Sequence, residues 1–187
     1  MKRILLLLLL IPSISFAKKC VMHADKNEIA LSWIAYKTPL KAGVGGKFTK
    51  LGIRNDLKGE KLSELLTGIQ FEIDSSSTST GNTDRDGKIV KFFFRKMVKG
   101  LMISGKTEKY SKKILHTKLT MNGVTKTVEL KVEKLKNMIT ATGVIDVFDF
   151  NLYESLKGIN KACYDLHEGK TWNDVKVILE IKLKESC

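Results

Sequence analysis

The chain has 187 residues, with 33 Lys and Arg against 20 Asp and Glu and a formal net charge of +13. That length suits one domain with a substantial core, and two prolines with no Gly/Ser-rich or Pro-rich linker argue against a string of domains. Only three histidines are present, with no Gly-x-Ser-x-Gly elbow, phosphate loop or His-rich cluster, so no catalytic residue is assigned and a non-enzyme is expected.

Residues 1–17 read as a secretion signal. Lys2 and Arg3 give a positive start, Ile4 to Ile11 is an unbroken apolar run, and Pro12 breaks it. Ser15-Phe16-Ala17 then places small residues at alternate positions for cleavage after Ala17. The apolar run falls well short of the about 20 residues needed to cross a bilayer. Lys18-Lys19 precede Cys20, where a lipoprotein signal would carry small residues. The expectation is therefore an unanchored periplasmic domain over residues 18–187. Loss of Lys2 and Arg3 leaves 31 basic residues against 20 acidic ones. In an exported protein this excess points away from nucleic acid and toward phospholipid head groups or a phosphate-bearing ligand, with transient membrane-surface contact. Scattered lysines that only keep the protein soluble also account for it, and their alternation along strands with no dense block favours that reading.

Downstream the dominant period is two, the mark of a strand with one dry and one wet face. Asp25-Lys26-Asn27 reads as a turn dividing a short first strand from a second, in which Ile29, Leu31, Trp33 and Ala35 share a face. Leu62, Leu65 and Leu66 fit a short helix stopped by Gly68. Phe71 and Ile73 alternate with Glu72 and Asp74, which read as solvated carboxylates rather than an acid–base pair. In Asp84-Arg85-Asp86 the acids are expected to cap a helical start, with Arg85 paired to one of them. The functional alternative has Arg85 reaching a phosphate at the mouth of a binding site. Ile89, Phe93 and Met97 then fit a helical turn or two.

Alternation resumes at Leu115, Thr117, Leu119 and Met121, with His116 on the wetter face. Asn122-Gly123 is a strong hairpin signal, because both residues tolerate positive φ. Val128, Leu130 and Val132 alternate on the return strand, and Lys136-Asn137 separates another pair. Leu156, Ile159, Cys163 and Leu166 lie on one helical face that ends near Gly169. In the last strand Val175, Val177, Leu179, Ile181 and Leu183 face one way, while Lys176, Glu180 and Lys182 face the other. About eight amphipathic strands must bury their apolar faces, and a closed barrel or a sandwich does so. At this size the interior is either packed or holds one ligand, and periodicity does not choose between them.

Cys20, Cys163 and Cys187 are the three cysteines. Outside the cytosol one disulfide is expected with one thiol left over. If residues 20–25 fold back on 28–36, Cys20 lies at the end where the helical connection begins, which favours Cys20–Cys163 and leaves Cys20–Cys187 as the alternative. Cys20-x-x-His23 with Cys163-x-x-x-His167 has a spacing that suits zinc or copper, but thiols in an oxidising compartment usually pair with each other, so no metal and no other cofactor is expected.

Three segments carry a resemblance. Phe71 to Asp86 resembles the strand and "T-x-N-x-x-R-D" segment of the YceI-like family. Leu119 to Val128 resembles its "L-T-x-N-G-V-T-K-x-V" hairpin, and Thr142 to Phe150 its following strand. They occur in the family's order, and the similarity extends over most of residues 20–184. The resemblance implies an all-β fold, a single antiparallel lipocalin-like β-barrel with a few short helices. It also implies a long apolar ligand in the lumen, an isoprenoid such as a polyprenyl phosphate or a quinone tail, held in the periplasm. Residues 160–167 and the Glu60–Thr67 helix depart from the simplest members, which bears on ligand identity. The candidate lumen set is Leu31, Trp33, Phe71, Ile73, Leu119, Leu130, Ile145, Val177 and Leu179, with Arg85 as the polar candidate at the mouth. The competing expectation is a barrel whose core is filled by these side chains and which binds a protein partner, as in an envelope stress response.

Overall fold

The computed structural model describes residues 19–187, so the predicted signal lies outside the described residues. Eleven strands form one curled antiparallel sheet. β1 (Val21–Lys37) pairs with β11 (Thr171–Ser186), and the ladder continues through β10 (Met138–Asp146), β9 (Val124–Leu135), β8 (Ile114–Met121), β7 (Met102–Ser111) and β5 (Gln70–Asp74) to the short edge strand β3 (Leu51–Ile53). On its other side β1 pairs with β2 (Ala42–Phe48) and with β4 (Leu57–Gly59), and β2 pairs with β6 (Thr78–Ser79). Residues 42–54 thus lie against β1 early in their course and against β5 later, so one stretch of chain links the two sides of the curl. The count exceeds the expected eight because β3, β4 and β6 are too short to show a period.

Two predicted turns form as read. Asn122 and Gly123 both take positive φ, 52° and 77°, in the β8–β9 hairpin, and Lys136 does so between β9 and β10. Asn122 also works through its side chain: Oδ1 accepts from the Val98 N–H at 2.8 Å, and Nδ2 donates to the Phe150 carbonyl at 3.2 Å. The turn thereby ties down two connections at its own end of the sheet.

The turn expected at Asp25-Lys26-Asn27 does not divide two strands. β1 runs through it, and the register slips from Ala24↔Leu183 to Ile29↔Ile181, which bulges out the residues between. The Asn27 N–H donates to Asp25 Oδ1 at 2.9 Å within the bulge. This corrects the disulfide. A strand that keeps its direction leaves Cys20 beside the end of β11, where Val21 faces Ser186. The bond is Cys20–Cys187, and the expected Cys20–Cys163 pair is not formed: Cys163 is a free, buried thiol at the other end.

Three α-helices among the described residues lie in the connections, with short 3-10 turns beside them. α1 (Leu62–Leu66) sits at the disulfide end with Leu65 and Leu66 buried, and Gly68, at φ +84°, ends it. Thr107 locks this connection: its hydroxyl donates to the Leu66 carbonyl at 2.6 Å and accepts from the Ile69 N–H at 2.9 Å. α2 (Thr83–Phe92) and α3 (Tyr153–Ala162) lie at the opposite end and pack on each other. Gly158 permits that contact, since a Cβ there would press on the Phe92 carbonyl. None of the helices among the described residues is long and apolar enough to cross a membrane.

The core divides along the sheet axis. One cluster, including Leu57, Leu65, Leu66, Leu115, Val132, Ile139 and Ile181, fills the α1 and disulfide end. A second, including Phe94, Met97, Met121, Val147, Phe150 and Leu152, lies under the helical connections at the other.

Candidate functional site

Between these clusters the interior is open. A cavity of about 460 Å³ runs inward from the α2–α3 end. Small-molecule sites span about 300–1,000 Å³ and are mostly apolar, and this one falls inside that range. Its walls are the alternate inward positions of the long strands. Register explains why they converge: Trp33 faces Val177, which faces Gly143 on the next strand.

Eight of the nine candidate lumen residues line the cavity: Leu31, Trp33, Phe71, Ile73, Leu119, Leu130, Ile145 and Val177. Leu179 does not. It points inward opposite Leu31, but one step further along β11 it packs against the filled cluster.

Three glycines that the strand pattern left without a role shape the wall. A Cβ on Gly46 would collide with the Trp33 indole, one on Gly105 with the Phe71 ring, and one on Gly143 with Leu130 Cδ2. Each glycine therefore lets a large lumen side chain lie flat against the neighbouring strand instead of across the lumen. Gly105 is the residue paired with Phe71, so its role depended on a register that sequence alone did not supply. The helical connections add a roof of Ile89, Phe93, Phe94, Leu156 and Ile159, joined by Phe48 from the end of β2. Periodicity marked Ile89, Phe93, Leu156 and Ile159 as apolar helical faces, but not what those faces cover.

Two polar atoms on cavity-lining residues, Trp33 Nε1 and Thr117 Oγ1, are buried without a hydrogen-bond partner among the described residues. The remaining polar groups gather at the opening, which is bordered by Lys37, Asn82, Asp84, Arg85, Lys88, His167 and Thr171. Asn82 caps α2 by accepting from the Arg85 N–H at 2.9 Å, so neither acid of Asp84-Arg85-Asp86 is the cap. Asp86 instead accepts from the Thr80 N–H at 2.8 Å. Nor does Arg85 pair with an acid among the described residues: Nε donates to Thr80 Oγ1 at 2.8 Å and Nη2 to the Thr80 carbonyl at 3.1 Å. Thr80, Asn82, Arg85 and Asp86 thus form one interlocked capping unit, with the exposed Arg85 guanidinium held beside the opening.

On the far side of the opening, Thr171 Oγ1 donates to Asn160 Oδ1 at 2.8 Å, so its 2.7 Å contact with His167 Nδ1 places the ring proton on Nδ1. Burial, and then the charge of Lys37, hold the His167 imidazole below the ordinary histidine range. Cys163 also lines the cavity, whereas Cys20 is bonded at the other end, so the two Cys/His pairs weighed for a metal are not brought together. No group of three His, Cys, Asp or Glu suited to a metal occurs among the described residues. Glu72 and Asp74 lie outside the cavity, paired with Arg54 and Lys50.

Comparison with known proteins gives the same architecture. The model of the YceI-like domain matches residues 23–183. A polyisoprenoid binding domain from Saccharophagus degradans, implicated in plant cell wall breakdown, aligns with TM-score 0.60 at 14% identity, covering 87% of this chain and 98% of that one. BcnA from Burkholderia cenocepacia aligns with TM-score 0.61 at 16% identity, covering 86% and 99%. A Campylobacter jejuni YCEI protein gives 0.51 at 18%, covering 78% and 86%. No curated protein matches the sequence.

Proposed function

We propose that this chain, which belongs to the YceI-like family, is a periplasmic carrier or store that holds a long isoprenoid in its lumen without catalysis. The observation that carries the reading is the apolar cavity itself. A chain that had used all its inward side chains as packing would have no such space, and that weighs against the filled-barrel, partner-binding alternative. A polyisoprenoid ligand, as in the Saccharophagus degradans domain, fits a wall of Leu, Ile, Val and Phe. Each methylene moved from water to such a wall contributes about 0.8 kcal/mol, so an apolar tail needs no charged anchor to bind. Arg85, Lys88 and Lys37 stand where a phosphate or the polar ring of a quinone would emerge. The Cys20–Cys187 bond accords with a non-reducing compartment, and with the signal read from residues 1–17 it supports export to the periplasm.

The test is native mass spectrometry of the protein purified from periplasm, followed by solvent extraction and lipid analysis. A stoichiometric isoprenoid adduct is expected. Empty protein that also refuses added polyprenyl phosphate and added quinone would overturn the reading.

A further inference from the structure

The rim of the cavity, to which Lys37, Leu166 and Trp172 belong, also presents an outward face. The β1–β2 turn, residues 38–41, projects from the open end with Leu40 at its tip, 91% exposed. The Thr38 N–H donates to the Lys170 carbonyl at 3.0 Å, and Trp172 Nε1 donates to the Thr38 carbonyl at 2.9 Å. These bonds brace the turn against the segment after α3, which exposes Tyr164 and Leu166 at 61% and 63%. Lys37 Nζ donates to the Leu166 carbonyl at 3.4 Å and closes the same unit. Lys170 and Lys41 lie over the Trp172 ring, at 4.6 and 4.9 Å.

An isolated exposed leucine is ordinary. Here exposed Leu and Tyr side chains, with Trp172 behind them, are mixed with lysines around one opening, and that combination is how a surface seats in the head-group layer of a membrane. The charge has the matching sign. Lys41 is paired with Asp174 at 2.8 Å, but Lys37, Arg85, Lys88 and Lys170 form no ion pair with a carboxylate among the described residues. Asp84, Asp86, Asp165 and Glu168 also lie at this end, and beyond residue 17 the chain carries 31 basic residues against 20 acidic ones.

We propose that this rim docks on an anionic phospholipid bilayer, with Leu40 and Leu166 entering the head-group layer and the cavity opening held against it. The proposal rests on the isoprenoid reading, because such docking lets a water-insoluble tail pass between bilayer and lumen without crossing water.

Flotation of the full-length mature protein with isoprenoid-free vesicles tests docking separately from cargo. Vesicles containing phosphatidylglycerol should bind it, salt should weaken the binding, and pure phosphatidylcholine should bind far less. Leu40→Ser should lower the partition coefficient about tenfold, and Lys170→Ala about fivefold. Leu135→Ser is the matched control, since Leu135 is 75% exposed at the end of β9, away from the opening, and it should change nothing. All three side chains are exposed, so circular dichroism should show unaltered folds. Failure to bind anionic vesicles, or binding that survives both rim substitutions, would overturn the proposal and leave the rim to a protein partner. Neither result would bear on whether lipid co-purifies.

Discussion

The two halves of the curled sheet share the same strands and the same alternation, yet one is solid and the other hollow. At the α1 end, inward side chains meet each other: Leu115, Leu66 and Ile139 have essentially no exposure. At the α2–α3 end, inward positions of those strands, such as Leu31, Val177 and Ile145, are only partly buried and border empty space. The difference lies in what each end brings to the axis. α1 pushes Leu65 and Leu66 into the lumen, and the sheet ends there are tied by the disulfide. The other helices roof the lumen, and three wall glycines draw large side chains outward. The α1 end is thus packed across the axis, whereas at the other end the packed side chains form the wall of the cavity.

That contrast can be broken most directly by truncation. Leu115→Ala in the solid half should cost about 2–5 kcal/mol in urea denaturation, because it leaves a cavity in close packing. Leu31→Ala should cost only about 1 kcal/mol, since part of its side chain already faces a void. Equal costs would mean that the cavity is not open in solution. Next in size is the disulfide. Replacing Cys20 and Cys187 together with Ser should lower stability by about 2–4 kcal/mol, because the bond spans 167 residues and restricts the unfolded chain. Isoprenoid loading should survive in the fraction that remains folded.

A smaller effect is expected from filling the hollow half. Val177→Trp should reduce bound lipid at least about tenfold in native mass spectrometry while stability changes by less than the Leu115→Ala loss. Undiminished loading would place the ligand elsewhere. The smallest effect is set by pH. Because His167 is held below its usual range in the native protein, the unfolded chain takes up a proton there that the folded one resists. The stability contributed by neutral His167 is therefore complete above the ordinary histidine value of about 6.5 and falls as pH drops through it. His167→Gln should flatten the dependence of the urea midpoint on pH across that window.

How much was legible in the sequence differs from residue to residue for physical reasons. The alternation of Val175 to Leu183 is a local property of an extended chain, and it appears in the structure as a single strand, β11. Asn122-Gly123 declares its turn because few residues accept positive φ in succession. The YceI-like resemblance of residues 71–86 pointed to Arg85, but only the folded segment shows Thr80, Asn82, Arg85 and Asp86 bonding to one another. Asp25-Lys26-Asn27 misled because turn-forming residues also suit a bulge, and whether a strand reverses is decided by the partner it pairs with, here β11. The disulfide followed from that pairing, across a separation on which local sequence carries no information.

The sequence by itself therefore determined which residues face inward, where the tight hairpin lies and which family the chain resembles. Each of these depends on backbone preferences or on side-chain order along the chain. Tertiary structure alone decided that Leu31 borders a cavity while its register partner Leu179 packs against the α1-end cluster, that Gly46, Gly105 and Gly143 shape the wall, and that Cys20 meets Cys187. An inward-facing side chain is apolar whether it meets a neighbour or a void, and only the packing of distant strands and helices distinguishes the two.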